Sequence, residues 1–144
     1  MGIKTRYAAI TLLAVVVVLQ MVQPEQTNPA SDPAASFAAM AAPSPQTAAV
    51  VERACKDCHS NETDWPWYSK LFPTSWLVTR DVNEGRAHLN LSEWSRLGPE
   101  MSELRRKAMC EEARKGDMPL WQYKLIHPSA NLNQADVAAL CTSP

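Results

Sequence analysis

Residues 54–70 read ACKDCHSNETDWPWYSK. Two thiols and an imidazole fall within five positions, as Cys55-Lys56-Asp57-Cys58-His59. C-x-x-C-H is the spacing of c-type haem attachment. Two thiols add to the vinyl groups on one porphyrin edge, and the adjacent histidine reaches the iron from one face. On that reading Cys55 and Cys58 carry the thioethers, His59 is the proximal ligand, and the cofactor is a single covalent haem c. Three other readings compete. A zinc site needs a second ligand pair, and only Cys110 and Cys141 remain, singly placed and far apart. A redox dithiol belongs in a βαβ setting, and none is visible. A local structural disulfide is the plainest alternative.

A sixth ligand decides what such an iron does, because His/Met ligation raises its potential and suits electron transfer. Of six methionines, Met1, Met21 and Met40 lie in the N-terminal part. Met101 and Met109 fall on apolar spacing in an expected helix, as core residues do. Met118, in KGDMPLW, stands between Gly116, which stops that helix, and Pro119, which stiffens the turn. Met118 is therefore the expected axial partner of His59. His88, near a helix end, and His127, before Pro128, are its rivals, each with an ordinary role as a carbonyl cap or turn residue. An open sixth position would turn the function towards gas sensing or peroxidase-like chemistry.

The aromatic residues after the cysteines have two readings. Trp65, Trp67, Tyr68 and Trp76 would wall a porphyrin, or would fill a small core with their polar tips hydrogen-bonded. Arg86 is the guanidinium best placed in the sequence for a bidentate contact with a haem carboxylate. Cys110 and Cys141 form the leftover even pair. In an oxidising compartment they are expected to form a disulfide, closing a loop that contributes about 3 kcal/mol; otherwise they are two small buried apolar residues.

These residues need helices to position them. QTAAVVERACKDCH predicts a helix with Ala48, Val51 and Cys55 on one side. TSWLVTRDVNEGRAHL predicts a second, capped by Thr74 or Ser75, and Ser92-Glu93-Trp94 a short helical turn. GPEMSELRRKAMCEEARKG is the clearest helix: Pro99 suits its first turn, Met101, Leu104, Ala108 and Cys110 give apolar spacing, and Gly116 ends it. NQADVAALC predicts a last helix from Asn133. No stretch alternates long enough for a strand, so the fold class is all-α.

The N-terminal part is organised differently. The run Tyr7–Val22 is apolar, preceded by Lys4 and Arg6, with no acidic residue before Glu25. That is the pattern of a signal peptide or signal anchor over residues 1–23. It spans about 24 Å of helix, short of a hydrocarbon core of roughly 30 Å. No small-x-small cleavage site follows closely, which favours an uncleaved anchor over a soluble periplasmic product. Residues 24–45, rich in proline and alanine, read as an extended tether that holds the domain off the membrane. Residues 46–144 form the domain. It is small enough, at roughly 95 residues, to gain from a covalent cofactor or a disulfide. With a net charge of −1 for 144 residues, the chain has no basic footprint for nucleic acid.

Taken together, CKDCHSNETDWPWYS, SWLVTRDVNEGRAHLNLSEW, MCEEARKGDMPLWQYKLIHPSANL and DVAALC resemble the bacterial haem-binding domain family of small exported proteins. The resemblance covers nearly the whole chain. It implies a cytochrome c-like helical fold around covalent haem, with axial roles for His59 and Met118, and it supports the Cys110–Cys141 pair. The order of attachment site, late methionine loop and closing helix is similar to that of class I cytochromes c. The expected function is a membrane-anchored, periplasm-facing electron carrier rather than an enzyme. Its partners would be unidentified redox proteins and, through the N-terminal helix, the membrane. A haem-bearing docking module of a larger complex is a further alternative.

Overall fold

The computed structural model describes residues 2–142, which are helical with no strand among them. Helix α1 (Ile3–Met21) is followed by α2 (Phe37–Ala41), α3 (Pro45–Ala54), α4 (Lys56–His59), α5 (Thr74–His88), α6 (Pro99–Lys115), α7 (Trp121–Ile126) and α8 (Gln134–Thr142). Short 3-10 turns, including Trp67–Lys70 and Leu91–Arg96, link them. Helix α1 is longer than the apolar run alone, because it takes in Ile3 to Arg6. Its 19 residues reach about 28 Å, close to a bilayer core, and none of them is buried.

The core forms where α3 and α6 pack on α8. Helix α3 starts behind Ser44, whose hydroxyl accepts from the Thr47 N–H at 3.1 Å, a side-chain N-cap. It buries Thr47, Val50, Val51 and Ala54, with Ala48 only half-buried. The Thr47 hydroxyl donates to the Ala139 carbonyl at 3.0 Å, which satisfies a polar group inside the core. Helix α8 is opened by a reciprocal cap: Asp136 N–H donates to Asn133 Oδ1 and Asn133 N–H to Asp136 Oδ2, both at 2.9 Å. Helix α6 ends as its sequence predicts, with Gly116 left-handed at φ 79°. Its sulfur Cys110 is joined to Cys141 of α8 across a Cα–Cα distance of 4.7 Å.

Four expectations shift. The single helix over QTAAVVERACKDCH breaks at Cys55, where φ is −123°, so α4 turns away from α3. Neither Thr74 nor Ser75 caps α5: Pro73 holds the N-cap position, and Ser75 is buried on the small-residue stripe Ser75, Thr79, Val82, Gly85. On α6, Met101 and Leu104 are exposed, and Ala113 and Met109 make the core contacts instead. Finally, residues 24–45 are packed on the domain rather than extended from it. Phe37 is buried in the core and meets Trp94 edge-on at 4.7 Å between ring centroids.

Candidate functional site

The chemistry of C-x-x-C-H depends on where α4 points its side chains. Helix α5 presses against α4 through Gly85. At the end of α5 the chain turns, and the Leu89 carbonyl lies 3.0 Å from Nδ1 of His59. A carbonyl only accepts, so the His59 proton sits on Nδ1 and the Nε2 lone pair is left for a metal. Burial lowers the His59 pKa, against the Leu89 and Gly85 carbonyls, which raise it, so the ring is held neutral as a ligand must be.

Cys55 and Cys58 are both unpaired and half-buried. Burial pushes both thiols up to about 12, with Asp57 and Asp81 adding to the effect at Cys58. A dithiol oxidoreductase needs the opposite, a thiol lowered towards neutrality. Among the described residues no cluster of three or more His, Cys, Asp or Glu could hold a metal ion, so a zinc site finds no ligand set there. Two free thiols one turn apart, next to a histidine whose Nδ1 is held by the Leu89 carbonyl and whose Nε2 carries the lone pair, fit a haem held through Cys55, Cys58 and His59.

The polar stretch after His59 does not shield that site; it braces it. Ser60, Asn61 and Thr63 are buried. The Asn61 N–H donates to Ser92 Oγ at 3.0 Å, and the Asn90 amide donates to Asn61 Oδ1 at 2.8 Å. Thr63 Oγ1 donates to the Asp57 carbonyl at 2.6 Å. These bonds fasten α4 to the Leu91–Arg96 turn, which carries Trp94 into the core.

An apolar cleft opens on the Cys58 side of α4, lined among others by Tyr68, Leu77, Val82, Leu120, Tyr123 and His127. Of the four expected aromatic walls, only Tyr68 belongs to it. Trp65 instead donates its indole N–H to Asn28 Oδ1 at 3.1 Å, and Trp67 and Trp76 are exposed on the surface. Sequence reasoning missed Tyr123 and Asp57. Tyr123 Oη donates to Asp57 Oδ2 at 2.7 Å, and its ring stacks on His127 at 4.2 Å. His127 Nε2 lies 2.6 Å from Tyr68 Oη. The four-residue spacing of Tyr123 and His127, which sets both on one side of a helical turn, was the available signal.

The other candidates lie elsewhere. Met118 sits on the α6–α7 loop, 38% exposed and outside the lining of the cleft. His88, the last residue of α5, is exposed. Arg86 is engaged by the protein itself: Nε donates to the Ser60 carbonyl, Nη1 to the Thr27 carbonyl, and Nη2 to Asn28 Oδ1 and Thr63 Oγ1, all at 2.7–3.0 Å.

No curated protein and no solved structure matches the chain. The sequence pattern of the haem-binding domain, however, matches residues 14–142, and with C-x-x-C-H and its oriented histidine inside that span, the protein belongs to the haem-binding domain family.

Proposed function

We propose that this haem-binding protein is a monohaem c-type cytochrome that passes single electrons on the outer face of the cytoplasmic membrane. What carries the reading is the arrangement of α4: two unpaired thiols beside a histidine whose Nδ1 is held by the Leu89 carbonyl. Cys55 and Cys58 would hold the haem covalently, and His59 would offer Nε2 to its iron. When bound, the haem supplies the one-electron chemistry. Of the three residues Cys58 alone lines the apolar cleft, which would shield the part of the haem on its side, and burial favours the neutral form of the His59 imidazole. Met118 is the proposed sixth ligand, on a loop stiffened because the Asp117 and Met118 N–H groups both donate to the Glu112 carbonyl. The redox partners are exported or membrane proteins. No catalytic residue is proposed.

The test is a mass and a spectrum. The exported protein should keep an added haem mass after denaturation, and the oxidised form should show the methionine-to-iron charge-transfer band. Met118→Ala should abolish that band and lower the reduction potential. Denatured protein at the mass of the bare chain would overturn the covalent reading. An unchanged band in Met118→Ala would overturn the sixth ligand.

A second reading is favoured by one observation: Met118 is part-exposed and outside the cleft, while Tyr68, Tyr123 and His127 bring hydrogen-bonding groups into it. It is a sensor or peroxidase-like protein with an open or weakly held sixth position. Rapid binding of carbon monoxide to the reduced wild-type protein, without displacement of a methionine band, would favour it.

A further inference from the structure

The last turn of α1 and the segment after it are fastened to the domain. The Gln20 side chain donates to the Lys70 carbonyl at 2.9 Å and accepts from the Phe72 N–H at 2.8 Å. The Trp76 indole N–H donates to the Val22 carbonyl at 3.0 Å. Further along, Gln26 donates to the Ser69 carbonyl, and Asn28 to the Thr63 carbonyl at 2.9 Å. Arg86 closes the strap on the Thr27 carbonyl and Asn28 Oδ1. Residues 70–76 therefore stand within one hydrogen bond of the C-terminal end of α1.

A spanning helix ends where hydrocarbon gives way to headgroups. Whatever is hydrogen-bonded to that end lies at the same depth. The residues found there are those that an interface selects. Trp67 is 75% exposed, Leu71 46% and Trp76 44%, with Lys70 exposed among them. Indoles prefer the headgroup level because they pair an apolar ring with an N–H donor, and a lysine beside them reaches anionic phosphate. An apolar patch of this kind facing water would be a liability.

We infer that the face bearing Trp67, Leu71 and Trp76 lies in the headgroup–acyl boundary of the bilayer that α1 spans. The domain rests on the membrane instead of hanging from it. The inference takes α1 to be retained as an anchor. It gives the haem domain a fixed orientation, with the strap and the aromatic face as one docking surface for lipid.

The experiment uses the full chain in vesicles of phosphatidylethanolamine and phosphatidylglycerol. The photoreactive substitution Leu71→p-benzoylphenylalanine is made at an exposed position, and Leu104→p-benzoylphenylalanine on α6 serves as the control. After illumination, lipid adducts counted by mass spectrometry should be several-fold more abundant at position 71 than at 104. Equal yields at the two positions, from protein that resists alkaline extraction, overturn the docked face while leaving the anchor intact. Cross-links from position 71 to a second copy of the chain, without lipid adducts, overturn it in favour of self-association. Release of the protein by alkaline extraction overturns the anchor, and the inference with it.

Discussion

Gly85 lies so close to α4 that a Cβ placed on it would stand 2.5 Å from the Cys58 carbonyl oxygen and 3.3 Å from Cys58 Cβ. Contact that tight requires the hydrogen side chain, since backbone on both sides leaves nothing flexible to give way. Gly85 also precedes the turn that aims the Leu89 carbonyl at His59. Gly85→Ala should therefore force α5 off α4, at a cost of about 1–3 kcal/mol. It should reduce haem content per chain as well as the Tm. If the alanine variant matches wild type in both, the contact does not position the site.

Asp136 should govern the acid side of stability. The Asn133 N–H and Arg53, whose Nη2 is 2.6 Å away, hold its carboxyl below the ordinary range. A carboxyl depressed in the folded state stabilises at neutral pH, and that contribution is lost as the pH falls through the folded value. Asp136→Asn should cost about 1 kcal/mol at pH 7, as lost helix caps do. The difference in Tm from wild type should shrink as the pH is taken to about 3. A difference constant with pH would show that the charge is not what stabilises.

The Cys110–Cys141 bond closes a loop of sequence separation 31. Cys110→Ser should lower unfolding stability in denaturant by about 3 kcal/mol. Its sulfurs join α6 to α8 rather than touching α4, so the absorption spectrum of the folded variant should be unchanged. A change in the visible spectrum at full folding would show that the pair also shapes the haem site.

Tyr123 should resist ionisation. Burial first, and then its hydrogen bond to Asp57, raise the phenol pKa, because a phenolate there would face a carboxylate. In a difference titration against Tyr123→Phe, ultraviolet phenolate absorption should show no step near pH 10. A normal step would mean that the Asp57 bond is not kept in solution. The same variant should lose about 1 kcal/mol of stability with that bond.

The helices were legible because each carries local punctuation. Pro99 and Gly116 bracket α6, and Asn133 with Asp136 opens α8, as propensity and capping require. Local signals also pointed to the Cys110–Cys141 pair, since only two cysteines remained. What stayed hidden depends on long-range packing. Phe37 sits in a stretch that looks like linker by composition, and nothing nearby reveals that Trp94 lies opposite it. The thiols and His59 could be read from spacing, but not the Leu89 carbonyl that sets the histidine tautomer, thirty residues along the chain. Trp67 and Trp76 look like cofactor walls in a list of residues. Only the hydrogen bonds to Val22 and Gln20 show that this stretch faces the end of α1.

The separation of the four cysteines has a consequence for assembly. Four thiols allow three complete pairings, and if the chain is exported, as proposed, oxidation competes with folding. In the finished fold one pair bridges α6 and α8, while Cys55 at the α3–α4 break and Cys58 on α4 remain free. On the proposed reading, the cell must oxidise the distal pair and keep the proximal pair reduced until haem arrives. The fold helps kinetically: thiols with pKa values near 12 form little thiolate and exchange slowly. On the same reading, packing of α4 would protect Cys55 and Cys58 from mispairing.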